Sequence, residues 1–444
     1  MNEWKPDQSR TKVGRMNGRK YALKSRGRHT WIKLAGAGAV VALAAAACSS
    51  SPSSTSASGG SGAATASSSC GQTVAVGPAN PNGVYATLPA NLKTIYSSFP
   101  GDLIKSPWAT TKITAKPPWK IGFIAFAVTS PYNAHVVTGL EQQFAIAKQA
   151  GLVQGSLITN IPATMAASTP EEQISAIQQM VQEGVNAIIL LPVDSVAEAP
   201  AIDAAGKAGV PVILADTPPA PNTPYAVAAW SQNQVQADAG ALGIIKKGNI
   251  ILVKGVPGNE NDVVLADQAL ADVKKCPNIH VAATLYGQWD EGTAKTVVAQ
   301  YVAAHPQPLA GAIQDGGMMS GIIEAFQADG LKVPVIADGE CYAGDLSWWL
   351  AHKSSYQTVA QCFNGFQGSY VYFNVALRIL DNKGPKYNVL EMPSPAITTA
   401  NLAQFAQPGL SLTSEAEVGG PLTAWCDNTC LNTYFNVPGA VTKP

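Results

Sequence analysis

The stretch Gln173–Asp216, QISAIQQMVQEGVNAIILLPVDSVAEAPAIDAAGKAGVPVILAD, decides the fold. Ile174, Ile177, Met180 and Val181 fall on one face of a helical period, and Gly184 ends that helix. Val185–Leu191 follows as an apolar run of strand length. A second helical stretch covers Val196–Lys207, Gly209 closes it, and Val210–Ala215 is another short apolar strand that ends at Asp216. Runs that are apolar throughout, rather than alternating, belong to parallel strands buried on both faces, so this is α-β-α-β of an α/β protein. Ligands of such sheets sit beyond the carboxyl ends of the strands, which directs attention to Asp194 and Asp216. Asp194 also stands where a residue capping the next helix is expected.

At 444 residues with 46% hydrophobic residues, the chain can bury more than one core, and two lobes are expected. The formal net charge of zero hides an asymmetry. Ten Lys and Arg fall within residues 1–33 against Glu3 and Asp7, leaving 19 basic and 27 acidic residues beyond, a net of −8. The body therefore has no basic surplus and no basic, aromatic-interleaved stretch, and nucleic acid is not expected as a partner.

Leu34–Ala47 is a run of fourteen small and apolar residues, shorter than the roughly 20 that span a bilayer. Behind a basic stretch it reads as the core of a signal peptide, residues 1–47, with Met16 as an alternative start. Cys48 and a Ser/Gly/Ala tract follow, and residues 48–69 are expected to form a flexible tether. LAAAAC at 43–48 resembles a bacterial lipobox, although Ala45 stands where Leu is usual. That resemblance implies acylation of Cys48 and anchoring to the outer face of the cell membrane; without it the protein would be periplasmic. Six further cysteines, an even number, suit a compartment that permits disulfides. Cys426 and Cys430 are close enough in sequence to bridge, and with no His beside them they are not expected to hold metal.

Residues 70–118 are punctuated by Pro and Gly and read as an irregular extension packed outside the first lobe. Regular alternation begins at Trp119, with strands at Lys120–Phe126 and Leu157–Thr159 before the opening stretch, so the first lobe is a βαβαβαβ run. Four prolines in Thr217–Pro224 read as a linker. A second run of the same kind follows, with strands at Asn249–Lys254, Ile279–Tyr286, Leu309–Gln314 and Val333–Ala337. After Asp338 come a helix near Gly344–His352, a strand at Gln357–Gln361 and a long helix near Gln367–Leu380 that is expected to return to the first lobe. The expected division is 119–230 with 362–392 as the first lobe, 231–361 with 393–410 as the second, and 411–444 as a C-terminal extension carrying the cysteine pair. Several crossings between two αβ lobes make a hinge, and a hinge makes a cleft.

Several stretches in this order resemble one family. LLPVDSVAEAPAIDAAGKAGVPVILAD, GNIILVKGVPGNEND, YGQWDEGTAKTVV, AIQDGGMMSGIIEAFQADGLKVPVIADGE and TVAQ are similar to the ribose-binding-protein class of type I periplasmic solute-binding proteins, components of ABC transporters. The likeness runs from about Trp119 to Ala406. It implies two Rossmann-like lobes with parallel sheets, a multi-strand hinge, a sugar or polyol held between the lobes, and an ABC permease as partner. By position it implies ligand contacts from Ser130, Tyr132 and Asn133 after the first strand, from Asp216, from Trp289 as an aromatic platform, and from Asp315, Asp338 and the hinge residue Gln361. Glu340 and Tyr342 lie close enough in sequence to fill part of the site. The chemistry is apt, since carboxylates and amides fix hydroxyls and aromatic rings cover C–H faces. Ribose binders have Arg at the positions of Thr217 and Val263, so the hydroxyl pattern here differs from that of ribose, and Gly316 and Gly317 leave room beside Asp315.

Other functions remain open at this point. The same fold can serve as a receptor for a non-sugar small molecule in signalling. An exported carbohydrate-active enzyme would use Asp216 and Asp338 as acid and base. No Walker loop, H-E-x-x-H or G-x-S-x-G is present, and the five His are unclustered, so no enzyme, metal or cofactor is expected. Sugar-responsive repressors of this fold carry an N-terminal helix-turn-helix, a place held here by the signal peptide.

Overall fold

A computed structural model describes residues 69–73, 77–78, 82–99, 101–231, 234–419 and 426–441. The segment expected as a signal peptide, Cys48 and nearly all of the expected tether lie outside the described residues. Among the described residues no helix is long and apolar enough to cross a membrane.

The first sheet holds β1 (Ile121–Ile124), β2 (Ile158–Asn160), β3 (Ala187–Leu190), β4 (Val212–Ala215), β5 (Ala226–Ser231) and β11 (Val389–Met392), in the order β11-β5-β4-β3-β1-β2 and all parallel. The second holds β6 (Gly248–Lys254), β7 (Ile279–Tyr286), β8 (Gly311–Gln314), β9 (Val335–Gly339), β10 (Ala360–Gln361) and β12 (Ala396–Ile397), in the order β12-β10-β9-β8-β6-β7. Only β12 runs antiparallel there. The two sheets repeat one winding. Every residue of β1, β3, β4 and β5 is buried, as continuous apolar runs require, whereas β7, at the edge, alternates after Ile279 between exposed and half-buried positions.

A short α1 (Ala90–Ile95) precedes the first sheet, and α2 (Pro131–Gln149), α3 (Pro170–Gln182) and α4 (Ser195–Lys207) connect its strands. Ser130, Thr169 and Asp194 cap these three helices, each accepting a hydrogen bond from a backbone N–H of the first turn. Gly184 (φ 73°) and Gly209 (φ 84°) stop α3 and α4 in the left-handed region that a side chain resists. In the second lobe α5 (Val235–Ile245), α6 (Glu260–Val273), α7 (Glu291–Ala304), α8 (Met319–Ala328) and α9 (Ala343–His352) cover the sheet. The long α10 (Gly365–Leu380) returns to pack on α2. Trp349 is fully enclosed in the second core.

The proline-rich segment 217–224, expected as a linker, stays within the first lobe. It joins β4 to β5, and Thr217, Ala220 and Thr223 are buried there. The chain instead changes sheet between Ser231 and Val235, between Gln361 and Gly365, and between Met392 and Ala396. Gln361 ties these crossings together: its Oε1 accepts the Gln236 N–H at 2.9 Å and its Nε2 reaches the Ser394 carbonyl at 3.5 Å.

Both extensions also touch both lobes. Residues from Val84 onward pack on the first lobe, where Tyr96 Oη donates to the Val389 carbonyl, Trp108 Nε1 donates to the Tyr225 carbonyl and Asn388 bonds Ile104 N–H. Cys70, expected on the same outer surface, is instead bonded to Cys276 on the second lobe, with Gly71 against Gly243 of α5. At the other end, Ser414 and Ala416 accept backbone hydrogen bonds from Gly344 and Ala343 at the start of α9. Residues 426–441, with α11 (Asn428–Asn432), then lie on the first lobe, where Asn428 and Asn432 accept from buried Arg378. Disulfides join Cys426 to Cys430 and Cys341 to Cys362.

Candidate functional site

The carboxyl ends of the two sheets face one another across a narrow cleft that encloses a cavity of about 40 Å³. From the first lobe it is lined by Phe126, Thr129 and Ser130 after β1, Tyr132 and Asn133 in the first turn of α2, Leu191 after β3, and Asp216 and Thr217 after β4. The second lobe contributes Asn259 and Asn261 at the start of α6, Gln288 and Trp289 after β7, and Glu340 after β9.

Three of these strand ends share an uncommon backbone. Asp216 (φ 46°), Trp289 (φ 54°) with its neighbour Gln288 (φ 59°), and Glu340 (φ 52°) all occupy the left-handed region. For residues other than Gly that conformation is costly, and it persists where surrounding contacts enforce it, typically at binding sites. For Asp216 those contacts are visible: its Oδ1 accepts the Ser231 N–H at 3.0 Å and the Ser231 hydroxyl at 2.9 Å. The Trp289 indole is held by a 2.9 Å bond from Nε1 to the Asp315 carbonyl, and it lies over Gly255, where any Cβ would collide with the ring. Glu340 accepts the Tyr342 hydroxyl at 3.1 Å. Gly316 and Gly317 do leave room, but the Glu340 carboxylate and the Tyr342 hydroxyl fill it.

Of the residues singled out from the sequence, Ser130, Tyr132, Asn133, Asp216 and Trp289 therefore line the cleft, and three others do not. Asp315 lies behind the Trp289 indole, its Oδ2 accepting the Gly255 N–H at 3.2 Å. Asp338 is wholly enclosed in the second lobe, near Asp345, Glu340 and Glu291, and neither carboxylate oxygen has a hydrogen-bond partner. Gln361 is spent on the hinge. The acid and base pairing of Asp216 with Asp338 across a bond is thus not formed. Ser130 is committed to capping α2, where its hydroxyl accepts the Asn133 N–H, and Tyr132 shares a 2.7 Å hydroxyl contact with Tyr372. Val263 is exposed on α6 and does not line the cleft, so of the two positions that differ from ribose binders only Thr217 bears on it. Sequence reading passed over Phe126, Thr129, Leu191, Asn259, Asn261 and Gln288. Only Asn259 carried a local signal, as a capping residue before an acidic first turn.

The carboxyls of the cleft hold their protons tightly. Burial pushes Asp216 up to about 7, against the two Ser231 donors that favour its charged form. Burial, then the facing Asp216 and Glu417, raise Glu340 well above the ordinary carboxylate range, while the Tyr342 hydroxyl opposes them. The lobes are shut around this site. Asn259 Nδ2 donates to the Pro192 carbonyl at 3.1 Å, Ser195 N–H donates to Glu260 Oε2 at 2.9 Å, Trp230 Nε1 donates to Asn261 Oδ1 at 2.9 Å, and Tyr132 N–H donates to the Tyr342 hydroxyl at 3.2 Å.

Two outcomes follow from this geometry. Gly255→Ala should displace the Trp289 indole and move tryptophan emission to longer wavelength; the same substitution in a Trp289→Phe background should leave emission unmoved. An equal shift in both backgrounds would show that Gly255 does not seat Trp289. Because the folded-state value of Asp216 is raised, its contribution to stability is complete below the ordinary carboxyl range and is lost as pH rises through about 7. Thermal melts of the ligand-free protein should accordingly show a melting temperature that falls from about pH 5 to about pH 8, and less steeply in Asp216→Asn. Identical slopes would contradict the burial of that carboxyl.

Comparison with known proteins agrees with the fold. The periplasmic binding protein domain family matches residues 121–384, more than half of the chain. The xylitol-binding protein of Mycolicibacterium smegmatis is 28% identical over 175 residues, covering 37% of this chain and 48% of that protein. The chain thus spans about half the length of that relative. The ribose import binding protein of Bacillus subtilis is 24% identical over 227 residues, covering 50% of this chain and 70% of that protein. Among solved structures, an ABC transporter solute-binding protein from Thermobispora bispora superposes with a TM-score of 0.57 at 21% identity, over 66% of this chain and 92% of that one. One from Bacillus halodurans with bound myo-inositol gives 0.54 at 15% identity, over 65% and 98%. With two like-wound parallel sheets, three crossings and a cleft at their carboxyl ends, the chain belongs to the periplasmic binding protein family.

Proposed function

We propose that the protein is an exported, lipid-anchored solute-binding protein that closes its lobes on a small polyhydroxylated molecule, a sugar or polyol, and delivers it to an ABC permease. The observation that carries this reading is the lining of the cleft. Carboxylates and amides from both jaws (Asp216, Glu340, Asn133, Asn261 and Gln288) supply acceptors and donors for hydroxyls, and Phe126, Tyr132 and Trp289 supply apolar surface for ring carbons. Relatives named for xylitol and ribose, and a structural neighbour with bound myo-inositol, support the same ligand class. Thr217, in place of an Arg fork, argues against ribose itself.

The hydrogen bonds between the jaws stabilise the shut form, and a ligand that touches both jaws adds to them. It shifts the equilibrium only by the excess of its affinity for that form. The N-terminal segment fits the same role, because the basic region, apolar core, Cys48 and Ser/Gly/Ala tract would hold the lobes on a tether at the membrane surface. An enzymatic role loses its acid and base pair once Asp338 is enclosed, and the cleft is read as a binding site.

A panel of sugars and polyols including xylitol, ribose and myo-inositol should contain a compound that raises the melting temperature. At a hundredfold excess over Kd the expected gain is about 2.7 kcal/mol. Trp289→Ala should weaken that compound tenfold or more in calorimetry. A panel with no response would remove the polyol reading. In the bacterial host, labelled palmitate should enter the wild-type protein and not Cys48→Ser; equal labelling would exclude anchoring through Cys48.

A further inference from the structure

The charge of the cleft is unbalanced. Asp216 from the first jaw and Glu340 from the second line the same cleft, both at least nine-tenths buried, and Asp216 raises the proton affinity of Glu340. No Lys, Arg or His is among the described residues that line the cleft. Lys254 and His135, next to cleft-lining segments, are already engaged. Lys254 forms a 3.0 Å ion pair with Asp262 and lies over the Tyr286 ring, and His135 forms a 2.8 Å pair with Glu417. A neutral polyol closing this cleft would leave two buried carboxyls facing each other without a counter-charge, an expensive arrangement unless they stay protonated. A cation would let both ionise, and Trp289 and Tyr132, aromatic residues of the kind that attract cations, line the same cleft.

Building on the reading of the cleft as a polyol site, we infer that its ligand is a small polyol bearing a protonated amine, an amino sugar or aminocyclitol, with the ammonium group between Asp216 and Glu340. Such a ligand supplies the positive charge that the missing Arg would have placed in the protein. The remaining groups facing the two carboxyls reinforce this and none reverses it. Tyr132, Tyr372 and the Ser231 hydroxyl surround Asp216, while Tyr342 and Glu417 face Glu340, and all are neutral or acidic.

The test is calorimetric titration of the purified protein with matched triplets. Each compares an amine with its hydroxyl parent and its N-acetyl derivative: glucosamine, galactosamine, glucamine and an aminodeoxy-inositol each beside its two neutral counterparts. At least one amine should bind tenfold or more tighter than both counterparts at pH 7. The preference should weaken at pH 5.5, where the carboxyls take up protons, and should collapse in Glu340→Gln and in Asp216→Asn. Circular dichroism and melting temperature identify a variant that fails to fold; if one fails, the other and the pH series carry the test. A neutral parent that binds as tightly as its amine, or a preference untouched by both pH and substitution, would overturn the inference and leave the polyol reading standing. Absence of binding by amines and neutral compounds alike would remove both.

Discussion

Burial of both faces of two parallel sheets is the constraint on which the rest of the molecule depends. With helices on either side, β1, β3, β4 and β5 expose nothing, so the chain can present polar groups only where the strands end. Because both sheets follow one winding and face each other at their carboxyl ends, strand-end groups from both lobes meet in one cleft. The scaffold needs no side chain of its own for chemistry. It holds a few strand-end residues at fixed places and lets their backbones take conformations that an isolated segment would avoid.

Those conformations have a common setting. At Asp216, Trp289 and Glu340 the left-handed backbone accompanies a polar or aromatic side chain that lines the cleft. Each is secured by a partner further along the chain: Ser231 for Asp216, the Asp315 carbonyl and the bare Gly255 for Trp289, and the two glycines 316–317 for Glu340, which also accepts from Tyr342 two residues on. The result is a site rich in acceptors and aromatic rings and poor in positive charge, and burial makes its carboxyls favour their protons while the cleft is shut.

The two extensions add something that the two-lobe core alone does not have. The N-terminal segment starts on the second lobe at the Cys70–Cys276 disulfide and continues over the first, where Tyr96 and Trp108 are buried. The C-terminal segment leaves the start of α9, offers Glu417 to His135 on α2, and ends on the first lobe around Arg378 and Tyr434. With the three crossings of the hinge, the lobes are therefore linked at five places, and any opening has to be accommodated by all of them.

The element order was legible in the residues because it depends on short-range pattern. Apolar runs, helical periods and left-handed Gly184 and Gly209 act within a few residues, so the α-β-α-β reading of Gln173–Asp216 and the twin second lobe follow from local chemistry. Asp216 could be placed the same way, at the end of a run that had to be a strand. The proline-rich 217–224 misled because a break in pattern marks a turn and does not say whether the chain leaves its lobe. Only the tertiary structure decided which acidic residues reach the cleft. Asp338 and Glu340 are two residues apart at the end of β9, yet the first is enclosed and the second lines the site. Asp315 lost its place to the indole that hydrogen-bonds its carbonyl. The physical reason is that a residue's φ and the space beside it are set by partners far away in sequence, such as Gly255 beneath Trp289 or Ser231 behind Asp216, and no local pattern records them.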